Sequence, residues 1–180
     1  ANVVLNECAG VFQYAQTCFE GLKAYETVDG RVVVFRPDLN AQRMADSARR
    51  LEMPAFPEDR FIEAVRETVK ANIDFVPPYG SEATLYLRPY MIASSPVIGV
   101  KPADEYQFRI FGTPVGPYFT GGIKPLTLKV SDFDRAAPHG TGNVKAGLNY
   151  AMSLHAIVTA HEEGYDENLY LDPQTRTFVE

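Results

Sequence analysis

The sequence predicts a mixed α+β fold in two parts, and three observations carry that expectation. The elements read from the pattern run β, β, α, α, β, β, β, loop, α, β, without the regular βαβ alternation of a doubly wound parallel sheet. The stretch GPYFTGGIKP at 116–125 is too rich in Gly and Pro for a regular element and reads as a loop or connector, so a boundary is expected near it. Finally, 180 residues at 46% hydrophobic and 22% charged are enough for a packed core and one domain or slightly more.

The elements follow in order. Residues 23–36, KAYETVDGRVVVFR, hold two β-rich runs around Asp29-Gly30, a pair that accepts the positive φ of a hairpin turn. Pro37 ends the hairpin, and Asp38 or Asn40 is placed to cap a helix in which Met44, Ala48 and Leu51 recur at helical spacing before Pro54 stops it. A second helix opens after Pro57 with Glu58 and Asp59 favourable to its dipole. It sets Phe61, Val65, Val69 and Ile73 on one face and ends before Pro77-Pro78. From residue 84 the texture changes to strands: TLYLRPYMIAS, EYQFRIFGTPVG and KPLTLKVSDF. After the small-residue loop RAAPHGTGN come a helix over 148–163, Gly164 as its terminator, and the short strand NLYLDP.

Several function classes are excluded by composition. With 17 Lys+Arg against 23 Asp+Glu the net charge is -6, which disfavours a nucleic-acid partner, whose phosphates require a basic surplus. No run of about 18 apolar residues occurs, so no membrane span is expected. Cys8 and Cys18 stand apart without a CxxC, fitting a reducing compartment and giving no zinc site. His139, His155 and His161 form no HxxxH pair and no Ser lies in a GxSxG elbow, so neither a zinc protease nor a Ser-His-Asp triad is signalled. The chain opens on Ala1 and closes on Thr177-Phe178-Val179-Glu180, which reads as a strand running on, so a fragment of a longer chain is expected.

The most unusual segment is GTGNVKAGLNY at 140–150. Lys145 stands there among small residues, where little bulk screens it, as an amine that condenses with a flat aldehyde cofactor requires. Lysines in glycine-rich loops more often are solvated or bind a phosphate, and the GxG at 140–142 lacks a strand-GxGxxG-helix context. Tyr86 and Arg88 share one face of the strand TLYLRP, offering a hydroxyl and a guanidinium fork to a carboxylate; the alternative is an edge Arg paired with an acid. Arg43, on the helix after the hairpin, is placed either to meet a phosphate or to face solvent. Tyr14, Phe19 and Tyr118 either line an apolar pocket or belong to the core.

Five collinear stretches, YAQTCFEGLKAYETVDG, FRPDLNAQRMADSARRLEMP, LYLRPYMIASSPVIGV, PVGPYFTGGIKP and GTGNVKAGLNY, together resemble the branched-chain aminotransferases of the pyridoxal-phosphate fold type IV class. The resemblance implies a small N-terminal α+β domain over 1–120 and the beginning of a larger cofactor-binding domain over 121–180. It implies pyridoxal 5'-phosphate as cofactor, with Lys145 matching the lysine that forms a Schiff base with the aldehyde and then shuttles the substrate proton. Arg43 matches the phosphate-binding arginine, and Tyr150 the tyrosine that hydrogen-bonds the phenolic oxygen. Glu180, or the residue after it, matches the carboxylate facing the pyridine nitrogen. Tyr14, Phe19, Tyr86, Arg88 and Tyr118 match residues of the substrate pocket. Two departures stand out: Leu148 replaces the second glycine of the usual GGNY, and Gln13 stands where many members have histidine.

The activity implied is amino transfer between leucine, isoleucine or valine and 2-oxoglutarate, in a soluble, cytoplasmic homodimer with no nucleic-acid, membrane or metal partner. A D-amino-acid aminotransferase or an aminodeoxychorismate-lyase-like enzyme would share the lysine and the carboxylate but not the FEGLKAY and LYLRP context. A non-catalytic ligand-binding module is the alternative of another class.

Overall fold

The structure is a computed structural model that describes residues 2–117 and 124–180, and the chain divides into two compact units, Ala1–Tyr118 and Phe119–Glu180. In the first unit the elements are α1 (Gly10–Gln13), β1 (Thr17–Phe19), β2 (Leu22–Glu26), β3 (Val32–Val34), α2 (Pro37–Arg50), α3 (Glu58–Ala71), β4 (Thr84–Ala93) and β5 (Tyr106–Val115).

The sheet is built around β4. Phe19 of β1 lies opposite Tyr90 and Leu22 of β2 opposite Leu87, so the two follow one register and are halves of a single strand interrupted at Glu20-Gly21. The interruption has a chemical cause. Glu20 N–H donates to the Pro89 carbonyl at 2.7 Å, but proline has no N–H to return the second bond of an antiparallel pair. The hairpin expected around Asp29-Gly30 is present as β2 and β3, with Gly30 at φ 78°. The other edge of β4 carries β5 over ten paired residues, Thr84–Ala93 against Tyr106–Val115.

Period 2 sorts the faces of β4. Leu85, Leu87 and Met91 point into a core closed by Met44 and Ala48 of α2 and by Phe61, Val65 and Val69 of α3. Tyr86, Arg88 and Tyr90 take the opposite, half-buried face.

Two helix details differ from the sequence reading. The residue flanking the start of α2 is Arg36, in the left-handed region at φ 44°, and Pro37 opens the first turn, where its fixed φ suits a helix and its missing N–H leaves no donor unpaired. Asp38 does not cap; its carboxylate accepts from Arg36 Nε at 2.9 Å and Nη2 at 2.6 Å. Nor does Asn40 cap, since its side chain reaches Glu20. In α3 the buried face holds Phe61, Val65 and Val69 but not Ile73: the helix ends at Ala71, and Ile73 stands half exposed in a 3₁₀ turn, Ile73–Phe75. The elements α1 and β1 have no counterpart in the sequence reading.

In the second unit the elements are β6 (Leu128–Val130), α4 (Gly147–Ala151), α5 (Leu154–Glu162) and β7 (Glu167–Leu169), with β6 and β7 paired in parallel. The strand expected over KPLTLKVSDF shortens to three residues. The helix expected over 148–163 is broken at Met152-Ser153, where Ser153 Oγ donates to the Asn149 carbonyl at 2.9 Å. Gly164 follows α5 at φ 89°, as a terminating glycine does. The strand expected over Thr177-Phe178-Val179-Glu180 is reduced to an isolated bridge between Leu171 and Val179 after a turn at 173–176, with Glu180 N–H donating to Tyr170 O at 3.0 Å. No helix of the described residues is long and apolar enough to cross a membrane.

Candidate active site

Lys145 lies in a tight turn just before α4, where the Ala146 N–H donates back across it to the Val144 carbonyl at 3.0 Å. Its neighbours Val144 and Ala146 are both buried, while Lys145 itself is only partly buried. Its Nζ donates to Tyr150 Oη at 2.8 Å and stands 5.2 Å from the centre of that ring. Asn149, almost fully buried at the start of α4, ties the preceding loop together: its Nδ2 donates to the carbonyls of Thr141 and Val144, each at 2.7 Å, and its Oδ1 accepts from Thr141 Oγ1 at 3.0 Å.

The small residues of this loop have separate causes. A Cβ on Gly142 would stand 2.3 Å from the Ala136 Cβ, so that glycine is imposed by packing of the loop on itself. A Cβ on Gly147 would meet nothing within 4 Å, so packing does not explain it.

Beside Tyr150 opens a cavity of about 470 Å³, lined among others by Arg135, Asn149, Leu154, Ile157 and Tyr170. Arg135 and Glu180 are joined across both carboxylate oxygens, Nε to Oε2 at 2.9 Å and Nη2 to Oε1. The carboxylate of Glu180 is therefore committed to Arg135, a residue of the RAAPHG loop that the sequence reading did not single out.

Pyridoxal phosphate carries its aldehyde and its phenolic oxygen on neighbouring ring carbons, so an amine and a hydroxyl that serve both must lie side by side. The 2.8 Å between Lys145 Nζ and Tyr150 Oη meets that demand, so the amine and phenol present fit the group.

In the first unit, Phe19, Tyr86 and Arg88 come together. Arg88 Nη2 donates to Tyr86 Oη at 2.7 Å, and its guanidinium carbon lies 4.6 Å from the centre of the Phe19 ring. Gly21 makes room for this cluster, because a Cβ there would stand 2.3 Å from Tyr86 Oη. One residue away, Glu20 is fully buried and bound by Arg43 through Nε at 2.6 Å and Nη2 at 2.7 Å, with Asn40 Nδ2 at 2.8 Å. An anion meeting Arg43 would thus meet a guanidinium already shared with a carboxylate. Tyr14 does something else: its Oη accepts from the Gly99 N–H at 2.7 Å. Tyr118 lies outside the described residues. Cys18, in β1, is buried beneath this region, and burial first, then the nearby Glu20 charge, pushes its thiol up to about 12, so it is no nucleophile.

Sequence reasoning missed Glu20, Asn149 and Arg135. A charged residue inside the apolar run CFEGL is a usable signal for the first. Asn149 stands inside the GTGNVKAGLNY motif, which is a signal for it, whereas Arg135 carries none because its partner Glu180 is far along the chain.

A family model described as amino-transferase class IV matches residues 17–178. The branched-chain-amino-acid aminotransferase of Haemophilus influenzae is 50% identical, over 98% of this chain and 53% of that protein. The chloroplastic branched-chain-amino-acid aminotransferase 5 of Arabidopsis thaliana is 46% identical, over 99% of this chain and 43% of that protein. The chain spans about half the length of the curated relatives it matches. Among solved structures, the Escherichia coli branched-chain amino acid aminotransferase superposes with a TM-score of 0.74 at 28% identity, covering 95% of this chain and 55% of that one. The T.th. branched-chain amino acid aminotransferase with pyridoxamine 5'-phosphate gives 0.80 at 26% identity, with coverage of 95% and 55%. With its α+β fold shared with those structures and the family model reaching from β1 almost to the last residue, the chain belongs to the class IV aminotransferases.

Proposed function

We propose that this chain is part of a branched-chain aminotransferase that uses pyridoxal 5'-phosphate to move an amino group between leucine, isoleucine or valine and 2-oxoglutarate. The observation that carries the reading is the Lys145–Tyr150 pair, an amine and a phenol 2.8 Å apart in a loop braced by buried side chains. The relatives named as branched-chain aminotransferases support the substrate class, and the T.th. structure with pyridoxamine 5'-phosphate supports the cofactor.

When bound, the cofactor supplies an electron sink for charge developing at the substrate's Cα. The chain's own residues do the rest. Lys145 holds the aldehyde end and carries the proton to and from Cα. Tyr150 donates a hydrogen bond to the phenolic oxygen. Arg43 meets the phosphate with a charge moderated by Glu20. The carboxylate toward the ring nitrogen is Glu180 or the residue after it, and the double engagement of Glu180 by Arg135 favours the latter. Phe19, Tyr86 and Arg88, with Tyr14 and Tyr118, form the substrate pocket: aromatic walls for a branched side chain, and a guanidinium and a hydroxyl for a carboxylate. The small domain is placed at 1–120 and the start of the larger at 121–180. The acidic balance fits a soluble cytoplasmic enzyme, and the family resemblance supports a homodimer.

The test is the visible absorbance of the whole enzyme loaded with pyridoxal phosphate. L-leucine, L-isoleucine and L-valine should bleach it and 2-oxoglutarate restore it. Bleaching by D-alanine alone would select the D-amino-acid reading, and no response to any amino acid would select the non-catalytic one.

A further inference from the structure

We infer that Asn149 is the positioning residue that sets Lys145 against Tyr150, a role that rests on the reading of Lys145 as the reacting amine. Lys145 has buried residues on both sides, yet its own segment is only a few residues long and pairs with no strand among the described residues. Beside the backbone bonds from Val144 N–H to Thr141 O and from Ala146 N–H to Val144 O, one buried amide ties the loop together. Asn149 Nδ2 spends both of its hydrogens on carbonyls, Val144 O immediately before the lysine and Thr141 O three residues earlier, each at 2.7 Å. Only an NH₂ can satisfy two carbonyls, so the remaining atom is the oxygen that takes the Thr141 hydroxyl at 3.0 Å. All three of these contacts go to the loop that bears Lys145.

The backbone adds the other half. Asn149 is the residue before Tyr150 in α4, and its N–H donates to the Ala146 carbonyl at 3.2 Å. Its side chain thus holds the front of Lys145 while its main chain carries Tyr150. Asn149 borders the cavity beside Tyr150, but its side-chain bonds go to Thr141 and Val144, so it acts through the lysine rather than on the reaction. The amide is buried enough that an unmade bond is not replaced by water.

The test uses the whole enzyme and three variants: Asn149→Asp, Thr141→Val and Thr141→Ser. Aspartate keeps the shape but points an oxygen at two carbonyls, which forces the loop open. Two readouts are followed beside the circular-dichroism melt. One is acetic-anhydride labelling of Lys145 relative to Lys129, which needs no cofactor. The other is labelling of Lys145 with pyridoxal phosphate and borohydride at limiting cofactor. For Asn149→Asp the inference expects relative acetylation to rise about threefold and cofactor labelling to fall about tenfold, the size of one buried hydrogen bond lost. Thr141→Val should move both readouts less, and Thr141→Ser should restore them. A folded Asn149→Asp with wild-type values in both readouts overturns the inference. Should that variant not fold, Thr141→Val decides on the same terms. Wild-type enzyme that acetylates normally but takes no cofactor label on Lys145 instead overturns the transaminase reading and leaves the positioning result standing.

Discussion

Removing the charge at Glu20 should cost less than removing its partner, and the difference follows from where each group sits. Glu20 is fully buried, while the Arg43 side chain is 51% exposed. Breaking a buried ion pair costs about 3–5 kcal/mol when the charge left behind stays out of water. In Glu20→Gln the charge left behind is Arg43, which can turn to solvent. What is lost is then the charge-assisted part of two bonds at 2.6 and 2.7 Å, and the expected destabilisation is about 2 kcal/mol. In Arg43→Met the carboxylate remains buried with, among the described residues, Asn40 Nδ2 at 2.8 Å and the Gly21 N–H at 3.3 Å to hold it, and the expected cost rises to about 4 kcal/mol. Equilibrium urea unfolding followed by far-UV circular dichroism gives both values, with an unchanged slope as the condition for comparing midpoints. A Glu20→Gln variant as unstable as Arg43→Met, or more so, would refute the claim that the asymmetry of burial controls this pair.

The remaining predictions concern other parts of the molecule. Gly21→Ala drives a methyl group into the rigid end of Tyr86 and should cost about 1–3 kcal/mol in the same unfolding assay, with Tyr86→Phe partly relieving it. Phe61→Ala empties the centre of the first core, where the side chain is 1% exposed, and should cost about 3–5 kcal/mol. Cys18, whose thiol burial holds up at about 12, should stay unreacted with a disulfide reagent at pH 8 in folded protein, while partly exposed Cys8 reacts. Asp172 is held well below the ordinary carboxylate value of 3.8, first by the Phe178 N–H and then by those of Thr175 and Thr177. A depressed folded value means that its support of the 172–178 turn is present above about pH 4 and fades as the pH falls below that. The amide protection of Phe178 should therefore differ between wild type and Asp172→Ala at pH 6, and the difference should shrink toward pH 2.

What can be read from the sequence depends on how local each signal is. The Asp29-Gly30 hairpin and the apolar faces of α2 and α3 are legible because turn chemistry and helical spacing lie within a few residues. The same holds for Tyr86 and Arg88 on one strand, whereas Lys145 and Tyr150 stand out together only through the resemblance of their motif to a family. The unity of β1 and β2 is not legible, because it depends on Pro89, about 70 residues away, failing to donate. Nor are the partners of Arg43 and Glu180 visible, since each is a long-range ion pair. The start of α2 escapes the sequence reading because Asp38 has a stronger attraction close by, the Arg36 guanidinium, than the helix N–H groups offer. The break at Ser153 escapes it because a serine inside a helical run shows no sign of bonding back to the carbonyl four residues earlier.

The measurement closest to the central claim is borohydride reduction of the whole enzyme in the presence of pyridoxal phosphate, followed by peptide mass mapping. The account predicts a phosphopyridoxyl label on Lys145. A label on another lysine, or none in folded and cofactor-supplemented protein, would contradict it.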